Sequence, residues 1–134
     1  MSTILVPVDF SEETPEVIEC AAMLARRNRS ELVLMHVSAG GGAPISDVAL
    51  DEEAGETAEK LGRLERYLRE EGFQVSTAVR AGEPAREIVE FGGHIKADCI
   101  IMGRHDHGAN ATDAKSPVTS CVESTARCTV VSVP

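Results

Sequence analysis

Residues 4–10 read ILVPVDF, an apolar strand that runs directly into an acid and a turn. The run 4–8 is continuously apolar rather than alternating, which is typical of strands covered on both faces, and such strands belong to parallel sheets. Ser11 and further acidic residues follow Asp9, and this composition favours the start of a helix. The pattern predicts a central strand whose carboxyl end leads straight into a helix.

Four further apolar runs extend this pattern along the chain, at residues 32–37, 73–79, 99–102 and 129–133. The run 73–79 alternates, as an edge or half-covered strand does. Helical periodicity fills the gaps: from Ser11 as N-cap to Asn28, from about Leu50 to Glu71, from Pro84 to about Ile95, and from Pro117 to near Arg127.

Strict alternation of strands and helices predicts an α/β fold, a doubly wound five-stranded parallel sheet with helices on both faces. The length of 134 residues fits one domain over 1–134. We expect the strand interiors to be buried, in particular the side chains of Val6, Val8, Val33, Leu34, Ile100, Ile101, Val130 and Val131.

Composition restricts the partners and the location. The net charge of −9 repels phosphate backbones and anionic headgroups, so the sequence predicts neither a nucleic-acid partner nor a membrane partner. No basic N-terminal flank and no apolar run near about 20 residues is present, which favours a cytoplasmic protein. The four cysteines form no C-x-x-C pair and are predicted to be buried, reduced thiols.

Catalytic and metal motifs are not evident. The sequence shows no Ser-His-Asp order, no G-x-S-x-G motif and no paired catalytic carboxylates, so no catalytic residue is assigned and no enzyme is predicted. His105 and His107 flank Asp106, but a metal site needs three or four ligands in a defined geometry, so no metal ligand is assigned.

Ligands of open parallel sheets bind beyond the carboxyl ends of the strands, where the strand order reverses. This rule directs attention to Asp9, to Val37 and Ser38, and to Gly103 with the residues that follow it. Asp9 has two interpretations, a ligand contact or a helix-start acid held by nearby backbone N–H groups. His36 is interpreted as a core or strand-end histidine with its hydrogen bonds satisfied.

Several segments together resemble the universal stress protein family. They are ILVPVDFSEE at the start, ELVLMHV as the second strand, and RAGEPAREIVEFGGHIKADCIIMGRH ahead of the final CTVVSVP. The resemblance covers essentially the whole chain and is to UspA-like, single-domain members. It implies an adenine nucleotide alpha hydrolase-like fold and frequent homodimers, here through the last strand, Thr129–Val133. It implies no established catalytic chemistry, and some members bind ATP.

The phosphate loop of ATP-binding members reads Gly, two residues, Gly, nine residues, Gly, then Ser or Thr. Here the four positions hold Gly103, Asp106, Ser116 and Pro117, so only the first is retained. Asp106 adds a negative charge, and Pro117 has no N–H to offer a phosphate. The resemblance therefore implies weak or absent ATP binding. The pair Ser116-Pro117 also suits an ordinary helix start, with serine as N-cap and proline at the first helical position.

Two functions remain open at this point. The first is a regulatory dimer of the stress response that holds no cofactor and acts through an unidentified protein partner. The second is a regulatory domain that binds ATP, AMP or a cyclic nucleotide at the strand ends. The residues that would hold the nucleotide are Pro7, Val8, Asp9, Val37, Met102, Gly103, Arg104, Ser116, Val118 and Thr119.

Overall fold

Strands and helices alternate without exception in the computed structural model, which describes residues 2–38, 47–103, 117–126 and 128–133. The elements are β1 (Thr3–Pro7), α1 (Thr14–Asn28), β2 (Glu31–Ser38), α2 (Asp47–Glu70), β3 (Val75–Ala81), α3 (Pro84–His94), β4 (Cys99–Gly103), α4 (Pro117–Thr125) and β5 (Thr129–Val133). The strands form one sheet in the order β3-β2-β1-β4-β5, and every pairing is parallel. The predicted doubly wound α/β fold is confirmed.

Strand β1 lies at the centre of the sheet, between β2 and β4. Leu5 is in register with Val33 of β2 and with Ile100 of β4. Its side chain joins the apolar cluster beneath α3 and α4, whereas Ile4 and Val6 join the cluster beneath α1 and α2. Consecutive side chains of a strand point to opposite faces, so a continuously apolar strand needs helices on both sides.

The boundaries differ from the sequence prediction in a few places. Helix α1 begins at Thr14 with Glu13 as its N-cap, not with Ser11. Ser11 instead lies in the preceding turn, where its Oγ accepts a hydrogen bond from the Glu13 N–H at 3.3 Å. The physical reason is Pro15, whose fixed φ and missing N–H suit the first turn of a helix. Helix α2 starts earlier than predicted, and α4 ends slightly earlier.

The two outer strands differ from the three inner ones. Strand β3 is an edge strand with mostly exposed side chains, as its alternating sequence predicts. Strand β5 is the other edge, and there the prediction was wrong: Val130 and Val131 are only partly buried. No further strand of the described residues covers the outer side of β5. The remaining predicted core residues are buried, namely Val6, Val8, Val33, Leu34, Ile100 and Ile101.

The cysteines are free thiols, but they are less buried than predicted. Cys121 is exposed, whereas Cys20, Cys99 and Cys128 are partly buried. Burial raises the pKa of the Cys99 and Cys128 thiols, which keeps both protonated and poorly nucleophilic at neutral pH. Across the described part of the chain, no helix has the length and apolar character needed to cross a membrane.

The central position of β1 leads to a stability prediction with a matched control. Val6 is 0% exposed and Val79 on edge strand β3 is 51% exposed. We expect Val6→Ala to lower the free energy of unfolding by about 2 kcal/mol or more, because it removes buried methyl groups and leaves a cavity. Val79→Ala should cost less than about 1 kcal/mol. Urea unfolding measures both, and equal losses would contradict the doubly covered sheet.

Candidate functional site

A cavity of about 250 Å³ opens where the order of the strands reverses. The chain leaves β1 towards β2, and β4 lies on the opposite side of β1. The connections therefore diverge and leave a gap between the carboxyl ends of β1 and β4, which is where ligands bind in open α/β sheets. The volume lies just below the roughly 300–1,000 Å³ usual for small-molecule sites.

Most of the residues predicted from the sequence meet at this cavity. Arg104 and Ser116 lie outside the described residues, as do Asp106, His105 and His107. The cavity is lined by the other eight predicted residues: Pro7, Val8, Asp9, Val37, Met102, Gly103, Val118 and Thr119. Their role in binding a ligand stays a prediction.

Sequence reasoning missed further lining residues, which are Ser11, Glu13, Thr14, Val17, Met35, Pro84 and Ile88. The sequence could have indicated Glu13 and Thr14. A helix that starts just after β1 has its first residues close to the carboxyl ends of the strands. Pro84 and Ile88 belong to the first turns of α3, and they reach the cavity only because α3 packs beside β2. No sequence pattern indicates that contact.

Asp9 organises the turn that joins β1 to α1. The Ser11 N–H donates to Asp9 Oδ1 at 3.0 Å, and the Thr14 hydroxyl donates to the same oxygen at 3.4 Å. These bonds fit the interpretation of Asp9 as a helix-start acid. The side chain is exposed and lines the cavity, so a ligand contact is compatible with the same position.

Phe10 turns the chain sharply between Asp9 and Ser11. Its φ of 58° lies in the left-handed region, which costs about 1–3 kcal/mol for a residue other than glycine. The ring packs 5.3 Å from the His36 ring, and the Lys60 ammonium lies 5.4 Å from its centroid. His36 Nδ1 donates to the Val8 carbonyl at 2.9 Å, as expected for a satisfied strand-end histidine. These contacts hold the turn in place.

Gly103 and Thr119 join β4 to α4 at the opposite wall. The Thr119 hydroxyl donates to the Gly103 carbonyl oxygen at 2.8 Å, and Thr119 is 1% exposed. Glu13 approaches Gly103 from α1: a Cβ placed on Gly103 would lie only 2.5 Å from Glu13 Oε2. A side chain at position 103 would therefore require the Glu13 carboxylate, the flexible end of that side chain, to shift.

The cavity combines an apolar wall with hydroxyl and acidic groups. Met35, Val37, Ile88, Met102 and Val118 provide apolar surface, which suits a flat ring. The polar lining comes from hydroxyls and from two carboxylates, and the described lining contains no lysine, arginine or histidine. In the parts of the chain that the structure describes, no three His, Cys, Asp or Glu side chains are grouped to hold a metal ion.

A larger groove, of about 880 Å³, lies on the outer surface between α1 and α2. Met23 and Tyr67 are more than half exposed along it. It lies on the helical layer, away from the strand ends, and charged side chains of the two helices border it. The smaller cavity is therefore the better candidate site for a small molecule.

The bond between Thr119 and Gly103 can be tested against a second threonine of α4. Thr119→Val keeps the shape but leaves the Gly103 carbonyl without that donor, so we expect the free energy of unfolding to fall by about 1–3 kcal/mol. Exposed Thr125 donates to the Cys121 carbonyl within the helix, and Thr125→Val should change stability by about 0.5 kcal/mol or less. Denaturant unfolding measures the stability of both variants. An unchanged free energy of unfolding in Thr119→Val would contradict an anchoring role for Thr119.

The chain is similar in sequence to known proteins of one family. The model of the universal stress protein family matches residues 1–134. A universal stress protein of Methanocaldococcus jannaschii is 30% identical over 109 residues, which are 75% of this chain. The chain spans 62% of that relative, less than two thirds of its length.

Solved structures agree with the fold. UspA from Lactobacillus plantarum superposes with a TM-score of 0.88 at 22% identity, covering 99% of this chain and 97% of that one, a likeness of fold alone. The universal stress protein from Archaeoglobus fulgidus in complex with dAMP has a TM-score of 0.79 at 25% identity and covers 100% and 98% of the two chains. The sequence, the strand order and the family match lead to one conclusion: the chain belongs to the universal stress protein family.

Proposed function

We propose that the protein is a non-enzymatic regulator of the stress response that acts as a homodimer and binds ATP weakly or not at all. The observation that carries this proposal is the start of α4. The helix begins at Pro117, close to the Gly103–Thr119 contact. ATP-binding members of the family have serine or threonine at the position of Pro117. Proline offers no N–H to a phosphate at that point.

The other helices that border the cavity share this feature. Helix α1 has Pro15 in its first turn and α3 begins at Pro84. The N-terminus of a helix binds anions through its exposed N–H groups and its dipole. Pro84 lines the cavity and supplies no N–H there, whereas Pro15 does not line it. The start of α3 therefore offers one donor fewer, which favours a site with little affinity for a triphosphate.

The size of the effect follows from ordinary hydrogen-bond energies. Each lost hydrogen bond to a charged group costs about 1.5–3 kcal/mol, and about 1.4 kcal/mol is a tenfold change in affinity. Asp106 adds a like charge within the signature. Together these terms are large enough to reduce micromolar ATP binding to millimolar binding or less.

The second candidate function is binding of an adenine nucleotide with fewer phosphates, such as AMP or a cyclic nucleotide. The apolar wall and the hydroxyl groups of the cavity support it, since small-molecule sites combine apolar surface with a few placed polar groups. The relative from Archaeoglobus fulgidus, solved in complex with dAMP, supports the same ligand class.

The proposal assigns no catalytic function to the cavity. Ser11, Thr14 and Thr119 supply hydroxyls, but no histidine or lysine of the described lining stands beside them as a general base. We therefore propose that the protein acts through contacts with an unidentified protein partner. Its cytoplasmic location stays a prediction from the sequence.

The dimer is proposed to form through β5. This strand ends the sheet, and its side chains are only partly buried. An edge strand presents backbone N–H and C=O groups that can pair with another strand, and pairing with a two-fold copy closes the assembly.

The phosphate-loop argument has a constructive test. The triple variant Asp106→Gly, Ser116→Gly, Pro117→Ser restores the resembled signature, and we expect its ATP affinity to rise at least about tenfold, or roughly 1.4 kcal/mol. Asp113→Gly is the control, because it removes an acid from the same segment outside the signature. Isothermal titration calorimetry measures both. Low-micromolar ATP binding by the unaltered protein would refute the proposal.

The dimer has its own test at the two edges of the sheet. Ser132→Lys places a charge on β5, and in a two-fold pair the two lysines approach each other, so we expect a shift from dimer to monomer. Ser76→Lys makes the same change on β3 at the opposite edge and should leave the dimer intact. Sedimentation equilibrium at micromolar concentration measures the mass. A monomeric unaltered chain, or dissociation by Ser76→Lys alone, contradicts pairing through β5.

A further inference from the structure

The groove between α1 and α2 exposes large apolar side chains to solvent. Met23 is 57% exposed and Tyr67 is 56% exposed, and both line the groove. Among the described residues, the other large apolar side chain with comparable exposure is Val79 on edge strand β3. Apolar surface with a charged border is typical of an interaction surface. The groove is therefore a candidate surface for a macromolecular partner.

Helix α1 places opposite charges on either side of Met23. Glu19 lies four residues before Met23 and Arg27 lies four residues after it, so the three side chains share one face of the helix. All three are exposed and line the groove. The helix dipole accounts for an arginine in the last turn, but it does not account for an exposed methionine midway between an acid and a base.

The charges on this face of α1 have no ion-pair partner within the described part of the chain. On α3, Arg86 pairs with Glu90 at 3.0 Å, and α2 contains two pairs with the same spacing of four residues. Glu19 and Arg27 are in none of the ion pairs of the described residues. They are separated by two helical turns, about 12 Å along the axis, and so cannot pair with each other.

The remaining charges of the groove do not select a partner of one sign. The Arg26 guanidinium lies 5.2 Å from the centroid of the Phe73 ring, and Glu71 lines the same part of the groove. Together with Glu19 and Arg27, the lining contains two carboxylates and two guanidinium groups. A polyanion or a strongly basic surface would meet repulsion as well as attraction there, whereas a partner with both charges in the matching order would not.

A second copy of this chain has its charges in the matching order. If two α1 helices pack antiparallel about a two-fold axis at Met23, Glu19 of each copy lies opposite Arg27 of the other copy. A two-fold interface has to be self-complementary in this way. A parallel arrangement would instead place like charges opposite each other.

We propose that the groove between α1 and α2 is an interface between copies of this chain, in which α1 packs antiparallel against α1 of a second copy with Met23 on the two-fold axis. Tyr67 of each copy provides apolar surface for the Met23 side chain of the other. Helix α2 packs on β2 and β3, whereas β5 lies at the opposite edge of the sheet. Pairing through β5 therefore leaves the groove accessible, and the two contacts together form an assembly larger than a dimer.

The first experiment measures the mass of the unaltered chain as a function of concentration. A small surface with exposed charges binds weakly, so we expect sedimentation equilibrium to show the mass rising to at least about twice its low-micromolar value as the concentration approaches about 0.5 mM. Met23→Lys places two ammonium groups near the axis and should shift the rise to at least about tenfold higher concentration. Val79→Lys is the matched control and should leave the rise unchanged.

The second experiment tests the antiparallel pairing of charges. Glu19→Arg and Arg27→Glu each place like charges opposite each other, so each variant alone should associate at least about tenfold more weakly than the unaltered chain. In an equimolar mixture, the arginine introduced at position 19 faces the glutamate introduced at position 27 of the other chain, and association should return. Glu90→Arg and Arg86→Glu make the same changes of charge on exposed side chains of α3 and should have no effect alone or mixed.

Thermal unfolding establishes that each variant is folded, and the outcomes are then decisive. A mass that stays constant up to about 0.5 mM overturns the proposal and leaves the groove to a partner other than this chain. Association that survives both charge reversals, or that Val79→Lys abolishes, also overturns it, because the copies then meet elsewhere. Single variants that dissociate and stay apart when mixed show that Glu19 does not pair with Arg27. The test of β5 is separate, because it is made at micromolar concentration.

Discussion

The burial of β1 on both faces is the constraint on which the rest of the structure depends. A buried strand cannot leave its backbone N–H and C=O groups without partners, so β1 needs a neighbour along each side. Strands β2 and β4 fill these positions. Because the chain runs to one side after β1 and returns on the other, the connections diverge and the cavity forms between them.

The position of the strand-end cavity is set by the sheet, whereas its chemistry is set by the side chains that line it. Gly103 ends β4, and the Thr119 hydroxyl ties it to α4. The charges around that glycine are set by individual residues, and substitution alters them without moving the sheet. Pro117 at the start of α4 is one such residue, and in our proposal it lowers the affinity for a phosphate.

The two edge strands of the sheet differ in how apolar they are and in how they can contribute to assembly. Strands β3 and β5 each pair along one side within the chain. The alternating sequence of β3 predicts an edge strand, whereas β5 has valine at three of its five positions and all three valines are only partly buried. An apolar edge strand is a liability for a monomer, and a two-fold partner would cover it, which links the composition of β5 to the proposed dimer.

The sequence by itself determined the fold class, because strictly alternating strand and helix patterns predict a doubly wound parallel sheet. It also located Asp9, Val37 and Gly103, since strand ends meet at one edge of a parallel sheet. Only the tertiary structure decided that Val131 lies on an edge, because strand order depends on packing between distant segments. Likewise, only the tertiary structure brought Glu13 to Gly103, 90 residues apart in sequence, because that contact arises where α1 crosses the end of β4.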